Sequence, residues 1–259
     1  MLSESHDHYD VAQDGRGVVT LTIARSGKLN LISSSVTKAL IEGLKRLGQD
    51  SSVRVLVLTG DGDRAFIGGA DVKEMATLNP KTAKIFISSL HELCEAIRVF
   101  PVPVIARIQG WCLGGGLEVA AACDIRVAAS TAQFGMPEVR MGIPSVIHAA
   151  LLPRLIGSGR ARWLMLTANL IDTSRALEWG LVDGIAESQQ LDAEVERVLA
   201  ALLACGPQVM RSQKRLLNTW DDVPLSEGVK VSIKEFGNAF RGEEPYYFMS
   251  EFLTRKRGT

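Results

Sequence analysis

Two patterns of apolar positions divide the chain into predicted strands and helices. Near-continuous apolar runs of five to seven residues predict buried strands. Longer stretches in which apolar positions recur every three or four residues predict helices. The predicted strands cover residues 18–23, 53–59, 102–106 and 124–128, and the predicted helices cover residues 36–47, 80–99, 146–155, 159–166, 173–179 and 191–204, with three more beginning near Pro207, Pro224 and Pro245. The order of strand, glycine-rich loop and helix predicts an α/β fold whose site lies at one edge of the sheet.

Two glycine-rich loops stand where a predicted strand gives way to a helix. Residues 114–116 are consecutive glycines, and Gly68 and Gly69 form a second loop. Consecutive glycines lose much backbone entropy on ordering and bury no side chain, so we expect something to approach the main chain closely here. A helix N-terminus also offers unpaired N–H groups and a positive dipole end, which favour an oxyanion. The N–H groups of Ala70 and Gly115 would then form an oxyanion hole; two unrelated tight turns are the alternative.

Two glutamates lie in apolar surroundings close to the triple glycine. Glu118 falls in the first turn of the helix that follows it, and Glu138 comes after Pro137 in an otherwise apolar stretch. Two carboxylates in one pocket would share a proton, because like charges a few ångströms apart do not both ionise cheaply. One would then serve as an acid and the other as a base. A capping or ion-paired role for Glu118 and a solvated loop position for Glu138 are the alternatives.

Composition and charge exclude several classes of protein. The 29 basic and 29 acidic side chains give a net charge of zero, so the overall charge does not favour nucleic acid or an anionic membrane as a partner. The hydrophobic content of 46% is that of a folded globular protein. The four cysteines show no CxxC pair and no metal-ligand spacing, which is typical of reduced thiols in an intracellular protein. No targeting signal or membrane span is visible, and we expect a cytoplasmic location.

The remaining polar candidates have ordinary explanations beside the functional ones. His6 and His8 could bind a metal ion, but a short histidine-containing terminus is more typical of a frayed tail, and we predict no metal site. Arg25, Lys28 and the basic run 255–257 could contact phosphates or lie solvated on the surface. The glycine loops match no nucleotide-phosphate motif.

Several segments together resemble the crotonase family, also called the enoyl-CoA hydratase/isomerase superfamily. They are residues 25–30, 58–75, 103–118 and 123–138, and residues 176–183 resemble the family's downstream Ala-x-x-x-Gly-Leu-Val segment. The resemblance implies an α/β fold built as a spiral of ββα turns over residues 1–204. It also implies a helical region over residues 205–259 that mediates formation of a homotrimer, often of a dimer of trimers. The implied substrates are acyl-CoA thioesters, with coenzyme A as part of the substrate and no metal or redox cofactor.

The resemblance also implies a role for each candidate residue. The thioester oxygen would accept hydrogen bonds from the N–H groups of Ala70 and Gly115. Glu118 would deprotonate a water molecule, and Glu138 would protonate the α-carbon. The residues expected to border coenzyme A or the substrate are Lys28, Leu29, Gly68, Asp71 and Val72, and those expected to shape the acyl pocket are Trp111, Val146, Ile147 and His148.

One segment departs from the family pattern. Relatives commonly read Pro-Gly-x-Gly-Gly-Thr-Gln after the second glutamate, whereas this chain has bulkier side chains at residues 144–150. We therefore do not carry over an acyl-chain preference. Because both glutamates are present, we predict an enoyl-CoA hydratase that converts a trans-2-enoyl-CoA into a 3-hydroxyacyl-CoA. Another crotonase reaction (isomerisation, decarboxylation or thioester hydrolysis) and a non-catalytic CoA- or RNA-binding homologue are the alternatives.

Overall fold

Eleven strands and eleven α-helices make up the part of the chain that the computed structural model describes, residues 2–256. The strands are β1 (Leu2–Ser5), β2 (Tyr9–Gln13), β3 (Val18–Ile23), β4 (Val55–Gly60), β5 (Ala65–Ile67), β6 (Val104–Ile108), β7 (Trp111–Leu113), β8 (Ile125–Ala129), β9 (Gln133–Gly135), β10 (Ile171–Asp172) and β11 (Gly184–Ala186). The helices are α1 (Ser34–Gly48), α2 (Val72–Met75), α3 (Pro80–Arg98), α4 (Gly115–Ala122), α5 (Leu152–Ile156), α6 (Ser158–Thr167), α7 (Thr173–Trp179), α8 (Leu191–Leu203), α9 (Pro207–Asp222), α10 (Leu225–Ala239) and α11 (Glu244–Lys256). Short 3-10 turns cover Glu138–Met141, Ile147–Leu151 and Ser188–Gln190.

The strands form two sheets that the chain enters in alternation. The larger sheet has the order β1-β2-β3-β4-β6-β8-β11, and the smaller has the order β10-β9-β7-β5. Strands β4, β6 and β8 of the larger sheet are each followed by a three-residue strand of the smaller sheet, β5, β7 and β9. Within each set of three the strands are parallel. This succession is the expected series of ββα turns, and it places β5, β7 and their following loops side by side.

Strand β4 is buried on both faces, as its nearly continuous apolar sequence predicts. Leu56 and Leu58 belong to the main core, which also contains the inner faces of α1, α3 and α4. Val55 and Val57 point the other way and pack in a smaller cluster with apolar residues of α8. Successive side chains of β4 therefore pack against helices on opposite faces of the larger sheet.

The N-terminal segment is a strand where the sequence analysis expected a frayed tail. Residues 2–5 pair antiparallel with β2. Arg25 helps to hold this edge, because its guanidinium donates hydrogen bonds to the Tyr9 carbonyl and to the Asp10 carboxylate, both at 2.9 Å. Arg25 therefore has structural partners at this edge of the larger sheet. The side chains of the basic run 255–257 lie outside the described residues.

The helices after residue 204 are joined to the two-sheet core through α9. The buried Lys214 ammonium donates to the Asp124 carboxylate at 2.7 Å and to the Val102 carbonyl at 3.0 Å. Burial lowers the pKa of Lys214, and the nearby Asp124 carboxylate opposes that shift. Helices α10 and α11 leave large apolar side chains exposed, among them Leu225, Ile233, Phe236, Tyr247 and Phe252. No helix within residues 2–256 is long and apolar enough to cross a membrane.

Candidate active site

Helix α4 begins at the triple glycine and is buried at all eight of its positions. Its N-cap, Gly114, has φ 51° and ψ −123°, a conformation that only glycine adopts without strain. A Cβ atom built on Gly114 would lie 2.5 Å from Oε1 of Glu138. Glycine at this position therefore lets the Glu138 carboxyl group lie directly against the start of α4.

The two glycine loops meet at this point. A Cβ atom on Gly115 would lie 4.0 Å from the backbone nitrogen of Ala70, so the two candidate N–H donors are neighbours. Within residues 2–256 neither N–H group is paired with a protein acceptor. Gly116 lets helix α4 lie close to strand β5, because a Cβ atom there would lie 2.3 Å from the Ile67 carbonyl oxygen. One of the close contacts predicted at the glycines is therefore a contact within the protein, between α4 and β5.

Glu118 is an almost wholly buried acid. Its side chain is in the first turn of α4, the residue is 3% exposed, and Oε1 accepts the Ala149 backbone N–H at 2.9 Å. Burial raises the pKa of Glu118 to about 8; the hydrogen bond from Ala149 opposes this shift, and the charge of Glu138 adds to it. At neutral pH this carboxyl group therefore holds a proton in the free protein.

Glu138 is partly buried and lines the same cavity as Glu118. Its Oε2 accepts the Ser145 hydroxyl at 2.9 Å. Burial also raises the pKa of Glu138 above its usual value, against the effect of its hydrogen bonds. Because both carboxyl groups resist ionisation and the charge of Glu138 disfavours a second charge on Glu118, they suit a shared proton.

A cavity of about 610 Å³ is bounded by the two glycine loops, α2, α3 and the segment after Glu138. Its wall is mainly apolar and includes Met75, Leu78, Phe86, Ile87 and Leu90. Of the residues singled out from the sequence, those on the wall are Gly68, Ala70, Val72, Gly115, Glu118, Glu138 and Val146. The cavity therefore presents two carboxyl groups and two N–H donors at one end of an apolar space, which is an arrangement for acid–base chemistry beside a stabilised oxyanion.

The other candidate residues lie outside the wall of this cavity: Lys28, Leu29, Asp71, Trp111, Ile147 and His148. Leu29 is adjacent to it, since its carbonyl accepts the Gly68 N–H at 2.8 Å. Asp71 caps α2 by accepting the Lys73 N–H at 2.8 Å. Trp111 is 37% exposed at the start of β7, and His148 is buried away from the cavity.

Ser145, Ala149 and Lys84 were not singled out from the sequence. Ser145 and Ala149 hold Glu138 and Glu118 respectively, and both belong to the segment that departs from the family pattern. A serine seven residues after Glu138 forms no recognisable motif, and a backbone donor such as Ala149 leaves no signal in a sequence. Lys84 contributes a cation to the wall from α3.

Burial of Glu118 predicts a stability that depends on pH. The folded protein holds a proton on Glu118 that the unfolded chain releases above its ordinary pKa of 4.5, so stability falls as pH rises from about 4.5 to about 8. Across that range the loss is on the order of a few kcal/mol, at roughly 1.4 kcal/mol per pKa unit. Glu118→Gln removes this dependence and keeps an acceptor for the Ala149 N–H.

We therefore expect the melting temperature of Glu118→Gln, minus that of the wild type, to be larger at pH 8.5 than at pH 5. Glu92→Gln, an exposed change on α3, is the matched control and should give the same difference at both values. Thermal unfolding followed by circular dichroism measures both. Parallel pH dependences for the wild type and Glu118→Gln would contradict the buried, protonated state.

Comparisons with known proteins agree with this geometry. The sequence model of the Enoyl-CoA hydratase/isomerase family matches residues 13–257. A crotonyl-CoA hydratase from Syntrophomonas wolfei is 31% identical to this chain over 241 residues, which cover 93% of each protein. A mitochondrial methylglutaconyl-CoA hydratase from Mus musculus is 35% identical over 224 residues, which cover 85% of this chain and 71% of the relative. The crystal structure of an enoyl-CoA hydratase from Bacillus anthracis has a TM-score of 0.91 at 29% identity and covers 96% of both chains.

The two-sheet spiral with its helical C-terminal region is therefore the crotonase fold, which confirms the fold expected from the sequence. The chain belongs to the enoyl-CoA hydratase/isomerase family.

Proposed function

We propose that this protein is an enoyl-CoA hydratase that adds water to a trans-2-enoyl-CoA. The observation that carries the proposal is that the buried carboxyl group of Glu118 and the partly buried one of Glu138 line the same mainly apolar cavity as the N–H groups of Ala70 and Gly115. The hydratase names of the relatives support it. An apolar wall suits an acyl chain, and the two N–H groups suit the thioester oxygen.

The proposed reaction balances with the two glutamates alone. The thioester oxygen accepts both N–H groups, so that negative charge developing on it is stabilised. Glu118 takes a proton from water as the hydroxyl group bonds to the β-carbon. Glu138 gives its proton to the α-carbon as the enolate collapses. The pair begins and ends with one proton, and the product is a 3-hydroxyacyl-CoA.

The resting position of that proton adds a step to the proposal. The pKa of about 8 places the proton on Glu118 in the free protein, whereas its role as base requires an ionised carboxylate. The proton therefore passes to Glu138 before water is attacked. A water molecule held between the two carboxyl groups provides the path, and it is the same water that the reaction consumes.

The shared proton predicts a bell-shaped dependence of kcat/KM on pH. Activity should fall above about pH 8, where the pair loses its single proton, and should fall in acid, where the second carboxyl group becomes protonated above the usual glutamate pKa of 4.5. Initial rates with crotonyl-CoA between pH 5 and pH 10 measure both limbs. A rate that stays constant from pH 7 to pH 10 would show that no shared proton is needed.

The proposed function is tested by mixing the purified chain with crotonyl-CoA and following the absorbance of the conjugated enoyl thioester. Loss of absorbance with formation of 3-hydroxybutyryl-CoA is the expected result. Because residues 144–150 differ from the family pattern, longer and branched enoyl-CoA thioesters belong in the same panel. Binding of these thioesters by calorimetry without turnover of any of them would favour the non-catalytic alternative.

We also propose that residues 205–259 form the oligomerisation region of a homotrimer, with residues 1–204 as the core. The exposed apolar side chains of α10 and α11 support this proposal, since large exposed apolar surfaces are typical of protein interfaces. Sedimentation velocity of the full chain tests it. A monomer at micromolar concentration would contradict it.

A further inference from the structure

A second group of ionisable side chains lies outside the wall of the cavity. His91 and Glu95 are one helical turn apart on α3, and His148 reaches them from the turn Ile147–Leu151. One potential ligand atom from each of the three residues lies within 4.8 Å of the other two. The spacing of His91 and Glu95 alone indicates nothing, and His148 is 53 residues further along the chain from Glu95. Only the fold brings the three together.

The contacts within this group are close. A ring nitrogen of His148, Nε2, is 2.8 Å from Oε1 of Glu95. The His91 and His148 rings stack with centroids 5.2 Å apart and an angle of 26° between their planes. The side chain of His148 is 7% exposed, and its other nitrogen, Nδ1, is buried without a hydrogen-bond partner among residues 2–256. The nitrogen directed at Glu95, Nε2, is therefore the one that an ion held by this group would bind.

We propose that His91, Glu95 and His148 form a binding site for a divalent transition metal ion of the zinc type. Two imidazoles and one carboxylate are a common donor set for zinc, with three protein ligands and one position left for water. Bonds of about 2.0–2.2 Å would place the donors about 3.3 Å apart, so Nε2 of His148 and Oε1 of Glu95, which are 2.8 Å apart, need to separate slightly while His91 moves closer. His91 is exposed, so its ring can rotate toward the other two and solvent can deliver the ion.

The charges around the group are compatible with a cation. Arg98 donates through Nε to the same Glu95 oxygen that faces His148, at 3.1 Å. Its other end donates to the Asp222 carboxylate at 2.7 Å, so that the positive charge of Arg98 is matched by a second negative one. The ion would therefore not lie beside an arginine whose positive charge is uncompensated.

The site would join α3 to the turn that supports Glu118. The residue after His148 is Ala149, whose N–H donates to Glu118 at 2.9 Å. An ion held by both elements would restrain this turn. It would not take part in hydration, because none of the three ligands lies on the wall of the cavity.

The experiment is a zinc titration of the full chain, produced without an affinity tag and freed of metal with a chelator. Isothermal titration calorimetry with zinc chloride should show one ion per chain, and cobalt(II) should give the visible absorption of a low-coordinate nitrogen and oxygen site. His91→Ala should weaken binding by at least about tenfold and abolish the cobalt band, since even changes beyond the direct ligands cost about 10–100-fold in affinity. His91 is exposed, so this variant should fold normally, and its melting temperature should no longer rise with zinc.

Three matched variants separate this site from other possible ligands. Glu92→Gln changes the neighbouring exposed acid on α3, His6→Ala changes a histidine close to Glu4, and Cys205→Ser removes an exposed thiol. All three should bind zinc as the wild type does. The proposal is overturned if the wild type binds no zinc at micromolar concentration, or if His91→Ala binds zinc as tightly as the wild type does.

Discussion

Replacing Glu118 by Gln should lower kcat for hydration of crotonyl-CoA by a factor of about 10²–10⁴, the usual contribution of a positioned acid or base. Gln keeps an acceptor for the Ala149 N–H and nearly the same volume, so the side chain should stay in place. What it loses is the ability to take the proton from water. Initial rates from the absorbance of the enoyl thioester measure the effect.

Two further variants show whether the loss of activity in Glu118→Gln is specific to the proposed acid and base. Glu138→Gln should be impaired to a similar extent, because it no longer supplies the proton for the α-carbon. Glu92→Gln, on the surface of α3, should keep the wild-type rate. If Glu118→Gln retains more than a tenth of the wild-type hydration rate, Glu118 is not the base. If it instead isomerises an enoyl-CoA at an undiminished rate, the protein is an isomerase, since that reaction can proceed with one carboxylate.

The longer elements were predictable because each has several turns or residues over which a period is visible. Helix α1 was expected from residue 36 to residue 47 and extends from Ser34 to Gly48, with Ser33 as its N-cap. Strands β5 and β7 have three residues each, too few to show alternation, and neither was predicted as a strand. The ββα turns leave no sequence repeat because their helices differ greatly in length: α3 has 19 residues and α4 has 8.

The candidate site was predictable where function depends on residue type, and not where it depends on backbone position. Consecutive glycines and two acids in apolar surroundings are visible in a sequence, and the structure brings these residues to one cavity. The sequence does not show that Ala149 supplies the hydrogen bond to Glu118, since every residue except proline has an N–H group. It also does not show which way a loop residue faces. Trp111 and His148 were expected at the acyl pocket, and the structure places neither on the cavity wall.

The triple glycine allows a final prediction that separates catalysis from folding. In Gly114→Ala the new Cβ would lie 2.5 Å from Oε1 of Glu138, and the residue would be strained at φ 51°. The carboxyl group is the end of a side chain, so we expect it to move aside. A displacement of about 1 Å at a reacting group costs on the order of 100-fold in rate, and the strained backbone costs about 1–3 kcal/mol. We therefore expect kcat for hydration to fall about 100-fold in a protein that still folds.

Gly116→Ala should act on stability instead. Its Cβ would lie 2.3 Å from the Ile67 carbonyl oxygen and 2.7 Å from the Ile67 Cβ, and these atoms belong to strand β5. Neither can move aside without separating α4 from the smaller sheet, so we expect a loss of more than about 3 kcal/mol, at the upper end of what overpacking costs. Gly159→Ala is the control, because a Cβ there would have no neighbour within 4 Å. Melting temperatures and hydration rates of the three variants test whether Gly114→Ala mainly lowers the rate and Gly116→Ala mainly lowers the stability. A Gly114→Ala enzyme with the wild-type rate would mean that the contact between Gly114 and Glu138 does not position the acid.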